Sequence, residues 1–301
     1  MNNKFKNYFF IILAAGLLPT IALAQNTVTF TNAAATGRSG PTQAQVTAAY
    51  DGTALDDAVT INTQGIQEWT VPADGVYTIE VWGAQGGNTG SSTVNAGTNP
   101  GGKGARMKGD FTLTSGTVLK ILVGQQGSGN AYDGGGGGGT FVVTGTSTAL
   151  IIAGGGGGSN TWSGNDEGAP GSTGTAGTHG LNNTSGTPGD NGSGGTGSYS
   201  ASGAGLLTNG GGAQWSCNCG GGLAFVNGGL GGSAISHSGS IGGFGGGGSA
   251  HGNSCIGGGG GGGYSGGTGS SSYCNSGGGG GSYNNGANQS NSGGVREGHG
   301  Q

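Results

Sequence analysis

Charge is scarce in this sequence: 8 Lys and Arg and 12 Asp and Glu among 301 residues. No basic cluster is present to hold nucleic acid, whose binding draws its affinity from Lys and Arg, and no polybasic patch to hold an anionic membrane. Proline amounts to six residues, and together with solid glycine runs this excludes the strict Gly-X-Y repeat of collagen. Helical periodicity is nearly missing. The four histidines, His179, His237, His251 and His299, are scattered and form no HxH or HExxH spacing. No Ser sits in a G-x-S-x-G elbow between a strand and a helix. Gly102-Lys103-Gly104 lacks the Ser or Thr of a phosphate loop, and the many G-x-G-x-x-G matches are what any glycine tract contains. Asp56-Asp57 and Asp166-Glu167 lack the spaced oxygen ligands of a calcium loop and read as solvated loop residues. No catalytic residue, cofactor or metal is nominated, and enzyme chemistry is not expected.

What is present begins with an address. Lys4 and Lys6 precede an apolar stretch from Tyr8 to Leu18 that ends in Ala22-Leu23-Ala24, an A-x-A cleavage pattern. Residues 1–24 read as a secretory signal and Gln25 as the mature N-terminus. With the two lysines removed, six basic residues face twelve acidic ones. No later run reaches the ~20 apolar residues of a membrane span, so a secreted or surface-exposed chain with no membrane insertion after processing is expected. Asn-x-Ser/Thr patterns at Asn182, Asn183, Asn191 and Asn288 matter only in a host that glycosylates them.

Up to Ala153 the chain reads as β structure. Candidate strands are Thr27–Thr31, Val59–Asn62, Ile66–Val71, Val76–Trp82, Ala105–Leu113, Thr117–Val123, Thr140–Thr144 and Ala149–Ala153. In Val76–Trp82, Tyr77, Ile79 and Val81 share one face while Thr78 and Glu80 take the other; Leu119, Ile121 and Val123 repeat the pattern with Lys120 outward. One face in the core and one in water is the expectation, and several such strands suggest a sandwich or jelly roll. Thr42–Tyr50 is the exception, a polar, Ala-containing stretch suited to one or two helical turns.

Glycine fills 83 of 301 positions, against a usual ~7%. Its solid runs are Gly134–Gly139, Gly154–Gly158, Gly245–Gly248, Gly257–Gly263 and Gly277–Gly281. Between Gly154 and Val295 only Asp166, Glu167 and Asp190 carry formal charge, which is unlike a disordered tail kept soluble by charge. A polyproline-II-type rod rises ~3.1 Å per residue without internal hydrogen bonds, so seven glycines span roughly 22 Å and their amides must bond to neighbouring rods. A rod with a side chain every third residue meets neighbours on one side only, whereas an all-glycine rod can be surrounded. A flexible linker is the alternative, but the runs are punctuated by Trp162, Trp215, Phe225, Phe244, Tyr264, Tyr283 and four Cys, residues that linkers rarely carry.

Those cysteines, Cys217, Cys219, Cys255 and Cys274, are an even number in an exported chain, which favours disulfides. The two-residue spacing strains a bridge between Cys217 and Cys219, leaving one to pair with Cys255 and the other with Cys274, in either order. A Cys-only metal site is the alternative, although its usual spacing is Cys-x2–4-Cys. Among the aromatics between runs, Trp162, Tyr199, Trp215 and Tyr273 are candidates to anchor a partner or stack on a sugar; packing on the rim of the rods is the plainer role.

Read in order, Phe30-Thr31-Asn32, Gly40-Pro41-Thr42-Gln43-Ala44-Gln45, Ala49-Tyr50, Gly65-Ile66-Gln67, Trp69, Val71-Pro72, Gly83-Ala84, Ile121-Leu122-Val123-Gly124-Gln125-Gln126-Gly127, Leu150-Ile151-Ile152-Ala153 and Glu297-Gly298-His299-Gly300 resemble the extracellular glycine-rich domain of the anaplastic lymphoma kinase and leukocyte tyrosine kinase receptor family. The resemblance runs from about Phe30 to the last residue. It implies a mainly β fold: a tumour-necrosis-factor-like, jelly-roll sandwich into which a bundle of polyglycine-II rods is inserted. It also implies a region that binds protein ligands, and that the Cys before the seven-glycine run is disulfide-bonded. Ala33 and Val46 stand where the family has Cys, as if one disulfide were lost as a unit. In the family the Glu-Gly-His-Gly segment leads into a closing strand, so an unfilled sheet position is expected beside Gln301. Any kinase label would refer to a family domain that these residues do not contain.

The expected organisation is therefore a signal peptide over 1–24, sandwich strands with the first glycine run over 25–153, a rod bundle over 154–294 and an approach to the closing strand over 295–301. The function that follows is a non-enzymatic binding or adhesion module, secreted or at the cell surface, whose partner is an extracellular protein or glycan. The alternatives are a structural spacer or matrix protein without a specific ligand and, ranked lower, an ectodomain fragment of a longer receptor-like protein. Ice binding ranks last, because it calls for a repeated Thr/Ala face in G-x-x register.

Overall fold

Local chemistry sets the one α-helix of the computed structural model, which describes residues 27–90, 99–161, 167–182, 185–213, 219–234, 239–251, 257–272 and 274–301. Helix α1, Gln43–Tyr50, opens on a capping box: the Gln45 amide donates to Thr42 Oγ1, and the Thr42 amide donates to Gln45 Oε1 at 2.9 Å. Two otherwise orphaned amides are satisfied, in a motif worth about 1 kcal/mol. The helix buries Val46 and Tyr50 against Ala33, Leu55 and Val59. The Tyr50 hydroxyl donates to the buried Gln67 Oε1 at 2.6 Å and accepts from the Thr31 amide at 2.9 Å. Burial pushes this phenol above its ordinary pKa, so it stays a neutral donor.

Nine strands form two antiparallel sheets among the described residues. They are β1 Val59–Thr63, β2 Ile66–Thr70, β3 Gly75–Trp82, β4 Gly104–Leu113, β5 Val118–Leu122, β6 Thr140–Thr144, β7 Thr148–Ala153, β8 Tyr283–Asn284 and β9 Ser292–Arg296. The six-stranded sheet runs β1-β2-β5-β6-β7-β8 and the three-stranded sheet β3-β4-β9. Their facing side chains make one core: Val81, Met107, Phe111 and Leu113 from one sheet, Leu119, Ile121, Val142 and Ile151 from the other. The period-2 reading of Tyr77, Ile79, Val81 and of Leu119, Ile121, Val123 holds.

Two expectations are corrected. Thr27–Thr31 is not a strand: despite its alternating sequence, Thr27–Phe30 make no backbone hydrogen bond to any neighbour among the described residues, and alternation without a partner does not make a sheet. The outer face of the six-stranded sheet is also not in water. Ile66, Leu122, Phe141, Val143 and Ile152 are buried there under Leu206, Phe225 and Phe244, which lie in the glycine-rich region. Strands covered on both faces read as continuous apolar runs rather than alternation, which is the pattern of Phe141-Val142-Val143.

Glycine-rich segments continue four of the strands. Gly83–Gly87 leaves β3, Gly134–Gly139 enters β6, Gly154–Gly158 leaves β7 and Gly277–Gly281 approaches β8. Within Gly134–Gly139 the hydrogen bonds repeat every third residue. Gly134 and Gly137 donate to Ser159 and Gly156, Gly135 and Gly138 to Ser128 and Gln125, and Gly136 and Gly139 to Gly248 and Gly245. The carbonyls of Gly134 and Gly137 accept from Gly259 and Gly262, and those of Gly135 and Gly138 from Gly87 and Ala84. One run is thus surrounded by several others. The same period recurs in the longest run, where Gly259 and Gly262 donate to Gly134 and Gly137, Gly260 and Gly263 to Ala201 and Ala204, and Gly261 to Gly278. Buried amides and carbonyls with no partner would cost about 1–3 kcal/mol each; here neighbouring backbones supply the partners. The spacing leaves no room for a side chain, since a Cβ on Gly136 would fall on the carbonyl oxygen of Gly260.

Candidate binding surfaces

Side chains that brace the bundle stand where its runs begin. Asp133, fully buried at the head of Gly134–Gly139, accepts through Oδ1 from Asn160 Nδ2 at 2.6 Å and from the Gly257 amide at 3.0 Å, and its carbonyl accepts from Ser240 Oγ at 2.6 Å. The Asp133 carboxylate therefore ties the heads of Gly134–Gly139 and Gly257–Gly263 to Asn160, just after Gly154–Gly158, and its backbone carbonyl adds Ser240. Sequence reasoning passed over Asp133, because a single acid before a glycine run carries no motif.

A second cluster joins the C-terminal segment to both layers. The Gln85 amide donates to the Gly298 carbonyl at 2.8 Å, and the Gly298 amide donates back to Gln85 Oε1 at 3.1 Å. The Gln126 amide donates to His299 Nδ1 at 3.1 Å, and Arg296 Nε donates to the His299 carbonyl at 2.8 Å. His299 accepts at Nδ1, so it is neutral there; burial and then the Arg296 charge hold its pKa below the ordinary histidine value. The Arg296 guanidinium lies 6.0 Å from the Trp82 ring centroid, a cation–π distance. Lys103 and Glu297 form an exposed pair at 2.7 Å that holds the Glu297 carboxyl below its usual range.

Between the two sheets, at the outer edge of β3, lies an open cleft of about 500 Å³. Phe30, Trp69 and Tyr77 form an edge-to-face series along its wall, with ring centroids 6.1 and 6.4 Å apart. Ile79 and Tyr77 point into the core yet are only half-buried, whereas Met107 and Phe111 on the neighbouring strand are buried. Beside β3, Gln301 makes two reciprocal backbone bonds with Trp82, at 2.8 and 3.1 Å. β3 is one of the two edge strands of its sheet among the described residues.

Of the residues singled out from sequence, Cys219 is buried and Cys274 nearly so, and neither is a free thiol; Cys217 and Cys255 lie outside the described residues. Tyr199 is half-buried, and its amide donates to the Ser270 carbonyl at 3.0 Å. Trp162, Trp215 and Tyr273 lie outside the described residues, as do Asp166, His237, Asn183 and the signal segment. His179 is exposed and His251 buried. No group of three or more His, Cys, Asp or Glu able to hold a metal occurs among the described residues, and no helix there is long and apolar enough to cross a membrane.

No family model matches the chain. Over 102 residues, 33% of its length, it is 37% identical to the Leukocyte tyrosine kinase receptor of Mus musculus. The similarity spans 11% of that receptor, so it relates a fragment of each protein to the other. It is compatible with a receptor-type extracellular module and brings no sign of catalytic activity to this chain.

Proposed function

We propose that this chain is a non-enzymatic recognition module, exported and displayed outside the cell, of the type found as the glycine-rich domain of the leukocyte tyrosine kinase receptor family. The observation that carries the reading is the three-residue hydrogen-bond repeat of the glycine runs. It favours polyglycine-II rods gathered in a bundle, held at one end by a jelly-roll sandwich. Such a bundle is a rigid scaffold, and it presents the excursions between runs at fixed spacing, which lowers the ordering cost that a binding surface meets. The partial likeness to a receptor supports recognition over a purely mechanical role. Disulfides from Cys217 and Cys219 to Cys255 and Cys274 fit the buried Cys219 and the lack of a free thiol among the described residues, and each would restrain the unfolded chain by about 2–4 kcal/mol.

The aromatics Trp162, Tyr199, Trp215 and Tyr273 are the proposed partner contacts, and an extracellular protein or glycan the proposed partner. The test is binding of the mature chain, from Gln25 onward, to panels of immobilised extracellular proteins and glycans. Replacement of the four aromatics by Ala, singly and together, is expected to remove saturable binding with the melting temperature unchanged. Unaltered binding by a folded quadruple variant, or no saturable binding by the parent chain, would favour a spacer.

A further inference from the structure

We propose that Asn285-Gly286 is a site of spontaneous covalent modification, at which the asparagine closes on its own main chain and reopens as aspartate or isoaspartate, loosening the crossover between the two sheets. The site is separate from the aromatics between the glycine runs and does not depend on a recognition role.

The chemistry needs two neighbouring groups and water. The Gly286 nitrogen, on losing its proton, bonds to Asn285 Cγ and expels the side-chain nitrogen as ammonia. Water then opens the five-membered imide at one carbonyl or the other. One product is aspartate; the other is isoaspartate, whose main chain runs through the side-chain methylene. Glycine in the second position favours closure, because it has no Cβ to crowd the attacking nitrogen.

The chain has four Asn-Gly pairs, at Asn191, Asn209, Asn227 and Asn285, and all four asparagines are exposed. They differ in what holds the carboxamide. Asn191 Nδ2 donates to Asp190 Oδ2 at 3.0 Å. Asn209 Oδ1 accepts from the Ala224 amide at 2.8 Å and from Asn227 Nδ2 at 2.9 Å, which engages both of those side chains. The glycine amides that follow are held as well: Gly192 donates to the buried Ser265 hydroxyl, Gly210 to the Gly222 carbonyl and Gly228 to the Phe225 carbonyl. At Asn285 the side chain makes no hydrogen bond among the described residues. The Gly286 amide donates only to the neighbouring side chain, Asn284 Oδ1, at 3.0 Å.

The position makes the change consequential. Tyr283 and Asn284 pair with β7, whereas Ala287 exchanges both backbone bonds with Asp110 of β4, at 2.8 and 2.9 Å. Asn285-Gly286 is therefore the step from one sheet to the other. The chain is tight there: a Cβ on Gly286 would lie 2.8 Å from the Phe111 ring and 3.0 Å from the Asp110 nitrogen. Isoaspartate lengthens this step by a main-chain carbon, and either product adds a negative charge to the segment with which Asp110 pairs.

The test incubates the mature chain at mildly alkaline pH, folded and in denaturant, and follows each Asn-Gly pair by peptide mapping with isoaspartate detection. In the folded chain Asn285 is expected to convert about five- to tenfold faster than the other three, since each carboxamide bond that must first break costs about 1 kcal/mol. In denaturant the four rates should converge. Exchange protection of the Asp110 and Ala287 amides should be lost in the converted fraction and kept in Asn285→Gln incubated in parallel, with β5 and β6 unchanged in both. No conversion of Asn285, faster conversion of another pair in the folded chain, or the same ranking with and without denaturant would overturn the site. A converted chain that keeps the Asp110 and Ala287 protection would overturn its effect on the crossover.

Discussion

The two halves of this molecule solve the same problem with opposite means. In the paired sheets, the core is made of side chains: Met107, Phe111, Leu119, Ile121 and Val142 fill the space between layers, and the backbone stays at sheet-to-sheet distance. Within the solid glycine runs there are no side chains between neighbours. Backbones lie directly against each other, and hydrogen bonds that repeat every third residue replace apolar burial as the ordering interaction. A side-chain core tolerates volume-conserving exchange. A backbone core tolerates no added atom. The two meet at Leu122, Phe141 and Ile152, whose outer faces are covered by Leu206, Phe225 and Phe244 from between the glycine runs, so neither half is a finished unit without the other.

The sharpest way to break this contrast is a methyl group. Gly136→Ala places a Cβ on the Gly260 carbonyl, and separating the two runs is expected to cost about 3 kcal/mol or more. Gly174→Ala, where only Ser172 Oγ at 3.5 Å is near, should be neutral or stabilise by about 0.5 kcal/mol. Denaturant titration of both variants reads the difference; equal, small effects would mean that the runs do not pack as rods. At the junction, Leu122→Ala empties a site enclosed by both halves and is expected to cost about 3 kcal/mol, lowering a single unfolding transition rather than splitting it in two. Asp133→Ala strips the Asn160 side chain and the Gly257 amide of their acceptor and should cost about 2 kcal/mol, whereas Thr42→Ala, in the sandwich half, should cost about 1 kcal/mol through the lost cap.

The smallest effect is the pH dependence of the seam. His299 has its folded pKa below its unfolded value of about 6.5. Between those two values the unfolded chain binds a proton that the folded chain does not, so stability falls as pH drops below about 6.5 and is level above it for this group. Denaturation midpoints from pH 7.5 to about pH 5 should show this slope in the parent chain and a shallower one in His299→Gln; an unchanged slope would place the titrating group elsewhere.

Legibility in the sequence followed the same division. Strands whose inner face alternates, such as Val76–Trp82 and Thr117–Val123, were readable almost to the residue, and so was the helix after Pro41-Thr42. The strands Tyr283–Asn284 and Ser292–Arg296 were not, since one is two residues long and the other contains Gly293-Gly294. Their sheet places come from tertiary pairing rather than from pattern. Thr27–Thr31 misled in the opposite direction, carrying the pattern without the partner. Cover on the second sheet face was latent in Phe141-Val142-Val143, but nothing local says that residues some 60 to 100 positions later supply it. The period of three in the bundle is invisible in a run made of one residue type, and Asp133 was invisible for want of a motif around it. Of the candidate contacts, Tyr199 is half-buried, as a rim position allows.

The central claim is that the glycine runs are an ordered, backbone-bonded bundle and not a linker. Native-state amide exchange across Gly134–Gly139, Gly154–Gly158, Gly257–Gly263 and Gly277–Gly281 tests it most directly. Protection comparable to that of β5 and β6, lost together with theirs on unfolding, is the expected result; exchange of those amides at unstructured-chain rates while the sheets stay protected would contradict it.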